Sequence, residues 1–301
     1  MKKILITGAD GFVGKELTAL LKSEDYFVLT TDLKGEVDLI GDLSDSSFVK
    51  KLPDVEVIIN CAAVQYTTKN IPFIRRKEFF RKNNIQSIDN LKERYKDSLF
   101  HFIQIGSSMM YKQSGEELSE ASPFSCQGIY SFSKVESQKV ISDLNCKSST
   151  IIPCIIAGSG RIGFFPLFIS LIKKYKIAFI PGNKDLKISL VHVKDVCLLI
   201  KEVIDKEVEG LFNAAAQDSS SISDWALLAA QEMKLKVKQI KLPIWFFTLI
   251  GYFSCYRILS REQILMISHA HILNIEKSKQ IGWLPRYNYK DILKEMVNNL
   301  K

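Results

Sequence analysis

The first half of the chain alternates short apolar runs with helical patterns. Lys3 to Thr7, Tyr26 to Thr31, Val55 to Cys61, Phe100 to Ile105 and Ser149 to Ile156 are the runs. None shows the in–out alternation of a half-exposed sheet, so strands covered on both faces are expected, as in a parallel sheet. A helix follows the first run, from about Val13 to Lys22. Strand, helix and strand in repetition predict an α/β fold built on a Rossmann-type, doubly wound parallel sheet.

The pattern loosens after Gly158. Ile162 to Tyr175 reads as an apolar helix, and Leu190 to Val193 as a short strand leading into a helix from about Val196 to Ile204. Leu211 to Ala214 is another short strand, and Ser223 to Met233 a helix capped by Ser221 or Ser223. From about Pro243 the tail is helical and apolar. The expected division is a sheet domain of residues 1–157, to which 190–215 return, and a smaller, mostly helical C-terminal lobe of 158–189 and 216–301. That lobe is expected to supply the substrate pocket.

With 301 residues, 47% of them hydrophobic, the chain can bury a substantial core. The net charge of +8 comes from Lys and Arg scattered in short pairs such as Lys2-Lys3, Arg75-Arg76 and Lys173-Lys174. No nucleic-acid-binding motif accompanies them. A solvated surface explains most of this charge, and a small anionic substrate is the best functional reading of the remainder. The six cysteines form no CxxC pair and no His cluster has metal-ligand spacing, so reduced thiols, a cytoplasmic location and no metal are expected. The apolar opening is too short for a signal peptide. The run Ile244 to Phe253 is about half the ~20 residues of a spanning helix. It reads as a buried or cavity-lining helix, with contact at a membrane surface as the alternative.

Candidate chemistry begins at the first turn. Gly8, Gly11 and Gly14 follow a strand and open a helix. Gly8 permits the tight turn, Gly11 lets the backbone approach a pyrophosphate, and Gly14 lets the helix pack on the strand. The helix N-terminus offers free N–H groups to phosphates. Asp32 closes the second strand, where a carboxylate accepts both adenosine hydroxyls and repels a 2′-phosphate. NAD is therefore the expected cofactor, with NADP, through Lys34, as the alternative.

The second signal is Tyr130-Ser131-Phe132-Ser133-Lys134. On a helix, Tyr130 and Lys134 share a face one turn apart. A free tyrosine, with a pKa of about 10, is a poor base at neutrality. Bringing it down to about 7 requires roughly 4 kcal/mol, which one cation at about 4 Å in a partly screened site supplies. A lowered Tyr130 pKa is thus expected. Ser107, at the end of the apolar run from His101, would point into the crevice where dinucleotides bind and orient a substrate oxygen toward Tyr130.

Together these residues resemble the extended short-chain dehydrogenase/reductase family, also described as NAD-dependent epimerases/dehydratases. The family's TGxxGxxG pattern matches Thr7 to Gly14 and so adds Phe12 and Val13 to the cofactor contacts. Gly41-Asp42-Leu43 resembles its acidic turn at the adenine, and Asn60-Cys61-Ala62-Ala63 its strand end beside the cofactor. Asn84 resembles its helix asparagine, and Pro153 the proline after the catalytic helix. Val191 to Val196, Gly210 to Asn213 and Ile281 to Pro285 resemble later family segments. The resemblance implies that Tyr130 is the general acid/base, that Lys134 holds the nicotinamide ribose and lowers the tyrosine pKa, and that Ser107 orients the substrate. It also implies a homodimer formed through the Tyr130 helix.

Departures narrow the chemistry. Ser108 and Met109 replace the acid–base pair of the family's dehydratases, and Ile188 stands where epimerases often carry an arginine. The expected activity is an NAD(P)-dependent oxidoreductase acting on a keto or hydroxyl carbon of a small, nucleotide-sugar-like substrate. A nucleotide-sugar epimerase is the alternative. A 3β-hydroxysteroid dehydrogenase-like enzyme and a non-catalytic dinucleotide-binding regulator rank lower.

Overall fold

A computed structural model describes residues 2–66, 68, 71–161, 164–182, 185–256 and 259–299. The chain opens with β1 (Lys3–Thr7), α1 (Phe12–Ser23), β2 (Phe27–Asp32), β3 (Leu39–Ile40), α2 (Ser46–Val49) and β4 (Val57–Asn60). Next come α3 (Arg76–Arg81), a π-helical turn (Lys82–Gln86), α4 (Ser87–Tyr95), β5 (His101–Ile105), a 3₁₀ turn (Ser108–Met110) and α5 (Ile129–Ser142). The remaining elements are β6 (Lys147–Pro153), β7 (Ile155–Ala157), α6 (Phe164–Tyr175), β8 (Ile177–Pro181), β9 (Lys187–His192), α7 (Val193–Lys206), β10 (Gly210–Ala214), β11 (Ser219–Ser221), α8 (Ile222–Glu232), β12 (Lys238–Leu242), α9 (Ile244–Phe253), α10 (Arg261–Ser268), α11 (Glu276–Gln280) and α12 (Tyr289–Asn298).

Seven strands form one parallel sheet in the order β10-β6-β5-β4-β1-β2-β3. Consecutive residues point to opposite faces of a strand. Ile4 and Ile6 accordingly join a core with Leu17, Leu21 and the apolar face of α7, while Leu5 joins one with Ile88, Leu91 and Ile141 from α4 and α5. Both faces are covered, which is why the strand sequences run apolar without a break. β1 pairs with β2 on one side and β4 on the other, so the winding reverses there and the strands' carboxyl ends open a crevice.

The run Ser149–Ile156, expected as one strand, is two. β6 follows β10 as far as the Pro153–Ala214 pair, and β7 then leaves for a second sheet of order β11-β9-β7. Pro153 has no N–H for the side of the ladder facing β5, and β5 has already ended at Ile105. Of the segment 190–215, β10 lies in the main sheet and β9 in the second one. β8 and β12 pair alone in a further two-stranded sheet that the apolar pattern did not predict. A second core, which includes Trp225, Ile264 and Met296, lies between α6, α8, α10 and α12.

The expected helix at Ile162–Tyr175 is found as Phe164–Tyr175, its first two residues lying outside the described residues. α8 starts behind Ser221, whose hydroxyl accepts from Asp224 N at 3.1 Å. Among the described residues no helix is long and apolar enough to cross a membrane.

Candidate active site

The glycine turn is built as its sequence demands. Gly8 has φ +64°, and a Cβ there would lie 2.5 Å from Ala62 N. A Cβ on Gly14 would lie 2.2 Å from Gly8 O. Strand end and helix start therefore touch through bare backbone, and only glycine fits. The N-cap of α1, Gly11, offers no side-chain cap, so the first N–H groups of the helix, from Phe12 on, are left to an outside acceptor. A cradle that a Cβ would fill, ending on unpaired N–H donors, fits a dinucleotide pyrophosphate.

That turn forms one wall of a cavity of about 700 Å³ that runs across the sheet's carboxyl edge into the second core. Gly8, Gly11, Phe12, Val13 and Gly14 line one end, and Cys61 and Ala63 follow from the end of β4. Ser107, Tyr130 and Lys134 line the middle, with Pro153 beside them. Burial pushes the Cys61 thiol up to about 12, so it stays protonated. The far end is mostly apolar, with Ile188, Trp225, Leu259 and Met266.

Five other expected cofactor residues lie off the cavity wall. Asp32 ends β2 and ties the glycine loop, its Oδ2 accepting from Asp10 N at 3.0 Å and its Oδ1 from Leu33 N at 2.6 Å. Asp42 accepts from Ser44 N and Oγ at 2.8 and 2.7 Å, which shapes its own turn, and Leu43 packs into the core behind α4. Ala62 faces that same core. The buried Asn84, inside the π-helical turn, accepts from Val64 N at 2.8 Å and donates to Val64 O and Ser133 Oγ at 3.1 and 2.9 Å. It clamps the loop after β4 to α5, and its side chain has no donor left to offer a ligand.

Tyr130 and Lys134 share the inner face of α5, as their spacing requires. Their electrostatics differ from the expectation. Burial pushes the Tyr130 phenol up to about 12, against hydrogen bonding from Ser107 and the Arg161 guanidinium, which pull it down. Lys134 does not lower it, because Lys134 itself loses its charge before the phenol ionises; at lower pH its ammonium donates to Ile105 O at 2.8 Å and sits 6.0 Å from the Tyr130 ring centre. The same burial lowers Lys134 to about 8.

Three groups on the site were not legible in the sequence. Arg161 lines the cavity, its guanidinium 5.2 Å from the Phe12 ring centre, with a 3.5 Å contact to Gln65 Oε1. Glu262, only 2% exposed, reaches from α10 to the N-terminus of α5, where its Oε1 accepts from the N–H of Tyr130 and Ser131 at 3.2 Å each. Tyr66, also on the cavity wall, donates to both of its oxygens at 2.8 and 2.7 Å. Where a dehydratase would carry its acid, Ser108 Oγ sits 2.8 Å from His271 Nε2. Burial lowers His271 to about 4, so the imidazole is neutral near pH 7 and has no acidic proton to deliver there.

Comparison with known proteins assigns the chain to a family. The UDP-glucose 4-epimerase of Vibrio cholerae is 24% identical over 319 aligned positions, covering 98% of this chain and 94% of that protein. The GDP-6-deoxy-D-talose 4-dehydrogenase of Aggregatibacter actinomycetemcomitans is 29% identical, covering 69% of this chain and 71% of that protein. The fold superposes on a dTDP-4-dehydrorhamnose reductase from Clostridium acetobutylicum with a TM-score of 0.79 at 22% identity, covering 99% of each chain. The family model for NAD dependent epimerases/dehydratases matches residues 4–215, from β1 to the residue after β10. The chain therefore belongs to the NAD-dependent epimerase/dehydratase family and is an enzyme of the extended short-chain dehydrogenase/reductase type.

Proposed function

We propose that the protein is an NAD-dependent oxidoreductase that interconverts a hydroxyl and a keto group on the sugar of a nucleotide-linked substrate. The observation that carries this reading is that Ser107, Tyr130 and Lys134 line the same cavity as the glycine turn. When bound along the glycine turn, the dinucleotide would supply or take the hydride. Tyr130 gives the proton to the carbonyl oxygen, or removes it from the hydroxyl, with Ser107 holding that oxygen in place. Below about pH 8, where Lys134 keeps its charge, its ammonium stabilises the phenolate that results. Arg161, half-buried in the wall and in no ion pair with a carboxylate among the described residues, is the cation that meets an anionic group in the cavity. The apolar far end suits the face of a sugar ring or base. Ser108, held by a neutral imidazole, adds no acid for water elimination. The three relatives are named for reactions on UDP-, GDP- and dTDP-linked sugars, which favours that substrate class here.

Purified protein, given NADH or NADPH and a panel of nucleotide-linked 4-keto sugars, is expected to consume the reduced dinucleotide with at least one of them. No turnover across the panel with either cofactor would exclude an oxidoreductase. An epimerase is the second reading, favoured by the full-length similarity to the Vibrio enzyme. It keeps its dinucleotide between half-reactions, so the ultraviolet spectrum of the purified protein separates the two.

Cofactor choice has its own test. Asp32→Ala removes the carboxylate proposed to meet the adenosine ribose and loosens the loop it ties. An NAD affinity lower by tenfold or more is expected, as for a lost charged hydrogen bond of about 1.5–3 kcal/mol. Lys34→Ala, at an exposed position, is expected to change it less than about twofold. The opposite ranking in a fluorescence titration would assign NADP.

A further inference from the structure

α9 is an inverted surface helix. A helix lying on a soluble protein normally turns its polar side outward. Here Trp245, Leu249, Tyr252 and Phe253, spaced i, i+4, i+7 and i+8, form an outward stripe, exposed by 61, 42, 66 and 78%. Phe247 and Gly251 face inward, Gly251 against Ile264 of α10. The stripe is extended at one end. Arg76 Nη1 donates to Cys255 O at 2.8 Å, which brings the turn with Phe73 and Ile74 to the C-terminal end of α9. Those two side chains are 64 and 76% exposed.

The segment that carries this apolar helix is charged on one sign only. Between Met233 and Glu262 the sequence has four lysines (Lys234, Lys236, Lys238 and Lys241) and two arginines (Arg257 and Arg261), with no Asp or Glu. The four lysines are exposed and lead directly into α9. Among the described residues, the acid that pairs with them is Asp185, 3.8 Å from Lys241. Aromatic residues with polar tips, bordered by lysines, match the boundary between lipid headgroups and acyl chains.

We propose that α9 and the Phe73–Ile74 turn seat the protein on the surface of an anionic bilayer, with the lysines of 234–241 against the lipid headgroups. A second copy of the chain is the poorer occupant. A twofold contact through α9 would bring two lysine-rich flanks together on molecules that each carry +8. Docking through α9 also places α10, whose Leu259 approach and Met266 line the substrate end of the cavity, next to the bilayer.

The tryptophans supply the readout. Trp225 and Trp283 are buried and Trp245 is exposed, so a change of environment on binding is reported by Trp245. Full-length protein mixed with phosphatidylcholine vesicles containing about 30 mol% phosphatidylserine is expected to float with them and to shift its emission to the blue. Pure phosphatidylcholine is expected to bind at least about tenfold less. Lys236→Gln with Lys238→Gln and Lys241→Gln should remove that preference. Trp245→Glu with Phe253→Glu should abolish flotation while circular dichroism and dinucleotide binding stay unchanged. Equal binding to both vesicle types, or none at low salt, would overturn the proposal. So would a stable dimer in lipid-free solution that the glutamate pair dissociates, because α9 would then be an interface between copies.

Discussion

Tyr130→Phe is expected to lower kcat about a thousandfold and to leave dinucleotide affinity within about twofold. The ring itself is structural. It packs edge-on against Tyr66 and Phe80, with centroids 6.0 and 6.3 Å away, and phenylalanine keeps those contacts. What disappears is the one hydroxyl that combines burial, hydrogen bonding to Ser107 and a neighbouring Arg161 charge. A variant retaining more than about a tenth of wild-type kcat would show that the proton moves through another group.

The wild-type pH profile carries the sign of the same argument. Reduction of a ketone needs a protonated phenol and a charged lysine. With Tyr130 at about 12 and Lys134 at about 8, both conditions hold below pH 8, and the reductive rate is expected to be flat there. Above about 8 Lys134 loses its proton and the rate falls. Oxidation needs the phenol to release its proton first, so that direction is expected to rise with pH. Initial rates measured both ways across this range check the pair of limbs. A reductive rate that climbs through pH 8 would contradict the Lys134 role.

Much of this architecture is legible in local pattern because the main sheet is parallel and covered on both faces. Leu5 and Ile6 are both fully buried, on opposite faces, so the run itself announces the strand. The stretch from Arg76 to Tyr95 hides for the opposite reason. Its buried apolar positions are Phe80, Ile85, Ile88, Leu91 and Tyr95, and the five-residue step from 80 to 85 breaks a period of 3.6. The π-helical turn at Lys82–Gln86 sits in that step and brings Asn84 inward. Asn84 is thus placed correctly on a helix by resemblance, yet its hydrogen bonds go to the Val64 backbone and the Ser133 hydroxyl and tie the loop after β4 to α5. The β8–β12 pair escapes notice because Lys238–Leu242 carries two lysines and finds its partner some sixty residues away in the chain, where no periodicity reaches.

The candidate site divides along the same line. Gly8, Gly14, Tyr130 and Lys134 follow from spacing, since a turn or a helix brings each set together. The direction of the Tyr130 pKa does not follow from spacing. A lysine one turn away can reach the phenol, but burial lowers the lysine's own pKa to about 8, and desolvation of the phenol outweighs every neighbour. Arg161 lies in a loop of small residues after β7, and nothing local marks it as facing the cavity.

Glu262 is the furthest from legibility and the most consequential for stability. In sequence it is the first acidic residue after a capping serine, a place where surface carboxylates are common. In the structure it is buried 132 positions away from its partners, on the end of α5 where free N–H groups and the helix dipole favour an anion. Gly128, the N-cap of α5, makes room for it, because a Cβ there would lie 2.2 Å from the carboxyl carbon. Burial and the carboxylate itself push the Tyr66 phenol up, so Tyr66 stays protonated and donates. Glu262→Ala leaves the Ser131 N–H and the Tyr66 hydroxyl without this acceptor and the Tyr130 N–H with only a 3.4 Å contact to Tyr66 Oη. A loss of about 3 kcal/mol in unfolding free energy is expected from that, with α5 loosened at the residue that carries the phenol. Glu262→Gln keeps an acceptor and is expected to lose only about 1 kcal/mol, chiefly charge–dipole attraction. It also removes a negative charge that holds the Tyr130 pKa up, so the oxidative limb should move to lower pH. Denaturant melts of both variants together with the pH profile of Glu262→Gln separate the two roles. An alanine variant as stable as wild type would show that α10 does not brace α5 through this carboxylate, and an unmoved limb in the glutamine variant would show that its charge does not reach the phenol.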